Sequence, residues 1–247
     1  MELYRYDVGY SLEALRADAR RATRDWDWPR SAHGHVLSLP RARDIAPSGR
    51  YRYQNYPYAD RLDDCPAFRE IFDSFASPKV SFRLLRRAPG SSYALHHDRW
   101  KGPGGARFQV PIFTDPEARL VLTSFRDVEE IPLPIRRLLK SGDFENAAAV
   151  APDRIRIHPL EPGILYHFDT TRVHTLFNPG ENERIVLSFD LLVNDWLLEN
   201  YPEIAAEVES AAPSARTWSR TSLLREYGLS FLHPLRNSLQ RWRGTHR

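Results

Sequence analysis

From residue 79 onward the chain is cut into short runs rich in aliphatic, aromatic and β-branched side chains. That rhythm constrains the fold more than any other feature. The runs are 80–86, 107–113, 120–125, 154–158, 164–168, 173–177 and 184–193. Turn-forming clusters separate most of them: Ala88-Pro89-Gly90, Gly102-Pro103-Gly104-Gly105, Asp115-Pro116, Glu161-Pro162-Gly163 and Asn178-Pro179-Gly180. Proline presets φ, while glycine and asparagine tolerate the left-handed region, so each cluster closes a strand. Many short strands with this punctuation predict a barrel or a double-sheet jelly roll.

Helical periodicity flanks the β region. Leu12, Leu15, Ala19, Ala22 and Trp26 share one face of a helix expected over 11–26, with Ser11 as its N-cap. Phe68, Ile71, Phe72 and Phe75 share a face of a second, over 66–75. Residues 126–153 interrupt the strands with a partly helical insertion, helical over 131–140. The expected organisation is 1–78 as helices and strands packing on the barrel, 79–195 as the double-stranded β core with its 126–153 insertion, and 196–247 as a helical, Arg-rich extension. An insertion joining two barrel strands, too long for a turn, suggests a lid over the mouth.

At 247 residues the chain can enclose a sizeable core. With 42% hydrophobic and 27% charged residues, the composition is that of a soluble globular protein, not of a disordered chain. One cysteine, Cys65, excludes an internal disulfide framework and a cysteine-rich metal site. No apolar run is long enough to span a bilayer and no signal-peptide pattern opens the chain, so a cytoplasmic location is expected. A net charge of +3 does not point to nucleic acid. Charge is uneven, however: 214–247 holds seven Arg and one Glu.

Three features carry chemistry. His96-His97-Asp98 follows a Pro-Gly turn and a strand. His174 lies on a distant strand, and Arg184 follows ten residues later. Two imidazoles and one carboxylate on one face of Fe(II) leave positions open for a chelating co-substrate and O2. In extended chain, residues i and i+2 point the same way, so His96 and Asp98 can share an ion. A dianionic co-substrate needs a cation at its far end, and the arginine fork matches a carboxylate.

Leu84 to Asp190 resembles the aspartyl/asparaginyl β-hydroxylase family, which includes bacterial cis-proline hydroxylases. The blocks are Arg87-Ala88-Pro89-Gly90 with His96 downstream, Arg107-Phe108-Gln109-Val110-Pro111-Ile112, Glu161-Pro162-Gly163, Phe168-Asp169 leading to His174, and Asn178-Pro179-Gly180 with Arg184. The resemblance implies a mainly β, double-stranded β-helix (a cupin-like jelly roll) with flanking helices. It implies Fe(II), 2-oxoglutarate and O2, with His96, Asp98 and His174 as iron ligands. Arg184 matches the position that pairs with the far carboxylate, and Arg107 a basic position beside the co-substrate. Gln109 stands where many members have His. Because halogenases lack the carboxylate, Asp98 favours hydroxylation. The implied reaction is hydroxylation of an unactivated C–H bond of an amino acid, free, peptide-borne or carrier-bound, releasing succinate and CO2. The alternatives are a lipid or acyl-chain hydroxylase and a non-catalytic jelly-roll binding module.

His97, Trp100 and His167 are candidate substrate residues; the alternative for His97 is a solvated or packed strand residue, and for Trp100 and the Gly-rich loop 102–105 a plain connection instead of a mouth loop. Of Arg86 and Arg87, whichever points inward suits a carboxylate. Leu235, Leu239 and Trp242 recur at helical spacing in the basic tail. That segment suits docking on the barrel, a homodimer contact or an acidic carrier protein.

Overall fold

The computed structural model describes residues 2–24, 30–31, 34–41, 44–45, 60–98 and 105–210. Among them are eleven strands: β1 (Tyr4–Tyr6), β2 (Arg30–Ser31), β3 (Gly34–Ser38), β4 (Lys79–Arg87), β5 (Ser91–Ser92), β6 (Gly105–Phe113), β7 (Arg119–Thr123), β8 (Ile155–Pro159), β9 (Leu165–His167), β10 (His174–Asn178) and β11 (Arg184–Leu192). The helices are α1 (Leu12–Thr23), α2 (Pro66–Ser74), α3 (Leu133–Ser141), α4 (Phe144–Val150), α5 (Asp195–Asn200) and α6 (Glu203–Ser210).

The strands form two antiparallel sheets. One has seven strands in the order β1-β9-β6-β11-β4-β3-β2; the other has four, β5-β10-β7-β8. The fold is the jelly roll that the strand rhythm predicts, with strand limits shifted by a residue or two. The Tyr51–Tyr58 aromatics, Trp100, the glycines 102–104 and the basic tail beyond 210 lie outside the described residues.

β11 shows how sequence builds the interior. Alternate side chains leave a strand on opposite faces. Ile185, Leu187, Phe189 and Leu191 join a large apolar core with Phe82, Leu84, Phe108, Val110 and Ile112, and with Leu15 and Ala19 of α1 and Phe68 and Ile71 of α2. The opposite face carries Arg184, Val186, Ser188 and Asp190, and all four are buried. That face looks across at the smaller sheet, whose Leu120 and Leu122 make a separate inter-sheet cluster with Tyr166 and Phe168.

The helices form for local reasons. The Ser11 hydroxyl accepts from Ala14 N at 3.3 Å and caps α1. The α2 N-terminus starts on Pro66 and lacks a cap of its own. Buried Asp18 of α1 supplies one, accepting from Ala67 N at 2.7 Å and Phe68 N at 3.1 Å. Both orphan N–H groups are thereby satisfied across a helix–helix contact.

The insertion is not a lid. Ile131, Ile135 and Leu139 of its first helical stretch and Phe144 and Ala147 of α4 pack with Val121, Ile155 and Val173, on the outer face of the four-stranded sheet. The apolar stripe of α3 needs a partner surface, and the back of that sheet provides one.

Candidate metal and dianion site

His96 and His174 meet as an isolated antiparallel bridge. Their backbones exchange hydrogen bonds at 3.1 and 2.8 Å, and their ring centroids are 4.2 Å apart. His174 stands opposite Leu122, so it faces the inter-sheet space. The neighbours on the alternate face, Leu95 and Val173, join the insertion core. Each imidazole is thus aimed inward by an apolar residue anchored outward.

The tautomers follow from the hydrogen bonds. His96 Nδ1 lies 2.9 Å from Ala94 O, and His174 Nδ1 lies 2.8 Å from Arg172 O. A carbonyl only accepts, so Nδ1 carries the proton and Nε2 keeps its lone pair, the form a metal takes. Burial, then the neighbouring His174, pushes His96 down to about 3. Burial also lowers His174. Two neutral imidazoles side by side fit a borderline divalent cation.

Asp98 lies beside them, its N–H donating to Thr170 O at 2.8 Å. Its Oδ2 accepts from Arg107 Nη1. Burial alone would raise its carboxyl, but the Arg107 guanidinium holds it below the usual carboxylate range. Among the described residues no three His, Cys, Asp or Glu side chains already stand in a metal-holding group. The imidazole pair is assembled, and the carboxylate is bonded to Arg107.

Arg184 stands opposite Arg87 across β11 and β4. Only 2% of Arg184 is exposed, yet its Nε and Nη2 have no hydrogen-bond partner. Burial and the Arg87 charge push its guanidinium down to about 9. Arg87 is lowered to about 10 by burial. Arg86, one residue back, faces away and pairs with Glu183 at 2.6 Å. The inward arginine is therefore Arg87.

One ring links the two halves of the site. Arg87 Cζ lies 4.3 Å from the centroid of Tyr93, whose ring is 4.1 Å from that of His96. Tyr93 belongs to no motif of the sequence. Gln109 is half-buried opposite Ser188, whose buried hydroxyl lacks a partner. His97 is half-buried between the two expected ligands.

His167 lies elsewhere. It stands opposite Phe108, on the core side of the larger sheet. Its Nδ1 is 2.9 Å from Arg107 O and its Nε2 is 3.1 Å from Glu207 Oε2. One ring nitrogen is held by β6 and the other by α6, so both are occupied.

A cavity of about 260 Å³ is walled by Leu122, Ser124, Asp169, Arg172, Glu203 and Glu207 among others, and neither histidine lines it. Leu122 is the cross-strand partner of His174.

No protein-family model and no curated protein matches the chain. Among solved structures it is similar to HygX from Streptomyces hygroscopicus with nickel and 2-oxoglutarate bound: 13% identity, TM-score 0.45, covering 78% of this chain and 82% of that one. It is also similar to a Pseudomonas putida prolyl-4-hydroxylase: 12% identity, TM-score 0.43, covering 78% and 92%. A third is an oxidoreductase of the 2OG-Fe(II) oxygenase family from Burkholderia pseudomallei: 12% identity, TM-score 0.43, covering 76% and 85%. All three likenesses are remote.

Proposed function

We propose that this chain is an Fe(II)- and 2-oxoglutarate-dependent oxygenase that hydroxylates an amino acid, free, peptide-borne or carrier-bound. The observation that carries this reading is buried Arg184 beside half-buried Arg87, with no carboxylate on either among the described residues, one aromatic ring from two neutral imidazoles. An uncompensated guanidinium in the interior, with a second beside it, is costly unless an anion joins them. A small dicarboxylate that chelates at one end and is gripped at the other fits that spacing.

The chain's own residues divide the work. His96, His174 and Asp98 would hold the iron, and Arg184 with Arg87 would hold the far carboxylate. Gln109 and Ser188 offer neutral hydrogen bonds on the same inner wall. When bound, iron and 2-oxoglutarate supply O2 activation coupled to loss of CO2, leaving succinate. The apolar residues around the chamber, Leu122 and Phe168 among them, exclude water from it. The cavity beyond Leu122 carries Glu203 and, paired with each other, Asp169 and Arg172, groups that suit the two ends of an amino acid.

Anaerobic addition of Fe(II) and 2-oxoglutarate should produce the visible metal-to-ligand absorption of a chelated 2-oxo acid. A mass-spectrometric screen of amino acids and peptides should then show one added oxygen with stoichiometric succinate. Absence of the absorption would end the oxygenase reading. Oxygen addition to acyl chains alone would end the amino-acid one.

A further inference from the structure

The interior arginines fall into two classes. Arg87 and Arg184 have no counter-ion among the described residues, whereas Arg107 already has two. Its Nε donates to Asp190 Oδ1 at 2.6 Å and its Nη2 to Asp190 Oδ2 at 3.3 Å. Its Nη1 donates to Asp98 Oδ2. All three guanidinium nitrogens therefore end on carboxylates of this chain.

Asp190 is built to hold that arginine. It is fully buried, and it also receives the Ser81 hydroxyl at 2.6 Å and Arg83 Nη2 at 3.3 Å. Strand register makes the arrangement: Asp190 stands opposite Arg107 on one side and Ser81 on the other. Asp98, by contrast, lies outside the strands and gets only a backbone tie to Thr170 from the fold. A planar fork gripped along one edge by a fixed carboxylate is a rigid support for whatever its other end touches.

We propose that Arg107, clamped by Asp190, is a positioning residue for the metal-ligating carboxylate of Asp98 and not a ligand of the co-substrate. Resting on the oxygenase reading, this assigns a different task to a basic residue expected beside 2-oxoglutarate. Asp98 Oδ2 is committed to the protein, which leaves the carboxylate one oxygen for the ion. The four charges of Asp98, Asp190, Arg83 and Arg107 cancel, so this cluster needs no anion, whereas the Arg87–Arg184 pair does. An arginine's partner thus distinguishes the two roles where its sequence position does not.

Co(II) titration of the metal-free protein, followed by absorption, separates the alternatives. A second titration measures 2-oxoglutarate on the Co(II)-loaded protein. Asp190→Asn should weaken Co(II) binding on the order of 10–100-fold, as loss of an outer support does, and should leave 2-oxoglutarate affinity unchanged. Arg107→Lys, which keeps the charge but cannot span two carboxylates, should do the same and serves if Asp190→Asn does not fold. In an Asp98→Ala background, Arg107→Lys should cost no further Co(II) affinity, because the group it positions is gone. A merely structural role would cost affinity in both backgrounds. Arg107→Lys that keeps wild-type Co(II) affinity but loses 2-oxoglutarate would overturn the proposal. Wild-type protein that binds neither ligand would instead sink the oxygenase reading beneath it.

Discussion

Arg184 and Arg87 face each other directly across two antiparallel strands, and neither makes an ion pair among the described residues. A buried charge with a half-buried like charge held against it makes the ligand-free protein less stable than its fold allows. Arg184→Met should therefore raise, or leave unaltered, the melting temperature of the ligand-free protein. The same variant should lose the stabilisation that 2-oxoglutarate gives the wild type, with binding weakened by about 2–5 kcal/mol. Thermal melts with and without 2-oxoglutarate read both effects. A ligand-free variant that melts well below wild type would mean that Arg184 already has a partner.

The insertion should behave as a wall of the histidine site. Replacing 126–153 by a short turn would strip the cover from Val121, Ile155 and Val173 and loosen the support behind Leu95 and Val173. Metal binding and stability should fall together, where removal of a lid would spare both. A milder variant, Leu139→Ala, should cost about 2–5 kcal/mol, as truncation of a buried leucine does. Chemical denaturation and Co(II) titration on the same samples check the pairing of the two losses.

Gly180 is required by a neighbour and not by its own backbone angles. A Cβ there would lie 2.0 Å from Asp115 Cγ. Asp115 accepts from Asn182 Nδ2 at 3.0 Å and Glu117 N at 2.9 Å, joining the β6–β7 loop to the turn that leads into Arg184. Gly180→Ala should destabilise by about 1–3 kcal/mol through overpacking and weaken 2-oxoglutarate binding as well. Adding Asp115→Gly should recover part of the stability, because the clash is removed. Denaturation midpoints of the single and double variants decide it.

Acid should expose the Asp190 cluster. Burial alone would raise this carboxyl, but Arg107 and Arg83 bring it down to about 2. A folded value below the unfolded one, about 3.9, gives stability that is present above pH 4 and lost as pH falls from 4 towards 2. The gap of roughly two units corresponds to about 2–3 kcal/mol. Asp190→Asn should flatten this part of the stability–pH curve. An unchanged acid slope in that variant would place the stabilisation in other carboxylates.

The residues of the candidate site were legible because the chemistry proposed for them is bound to spacing. His96, Asp98, His174 and Arg184 stand out by residue type and order within a run of punctuated strands. What stayed hidden depended on the choice of face. Arg86 and Arg87 are adjacent, so alternation places one inward without saying which; the register with Arg184 decides it. Tyr166 and His167 pose the same choice, and there the tyrosine faces the smaller sheet. Asp190 reads as an ordinary polar position on an alternating strand, usually turned to water. Here both faces of the strand are covered. The insertion showed its apolar stripe through Ile131, Ile135 and Leu139, but a stripe does not name the surface it lands on. Tyr93 and Glu207 have no local signal, because their partners are far away in sequence.

The two faces of β11 also matter before any ligand is present. A slip of one residue against β4 would carry Arg184, Ser188 and Asp190 into the aromatic layer of Phe82 and Phe108, and would bring Phe189 among the guanidinium groups. Each displaced polar group would lie buried without its partner, at a cost of roughly 1–3 kcal/mol or more. Misaligned pairings of the central strand are thereby rejected during folding. The charges that line the chamber act as a proofreading device for the chain's own assembly.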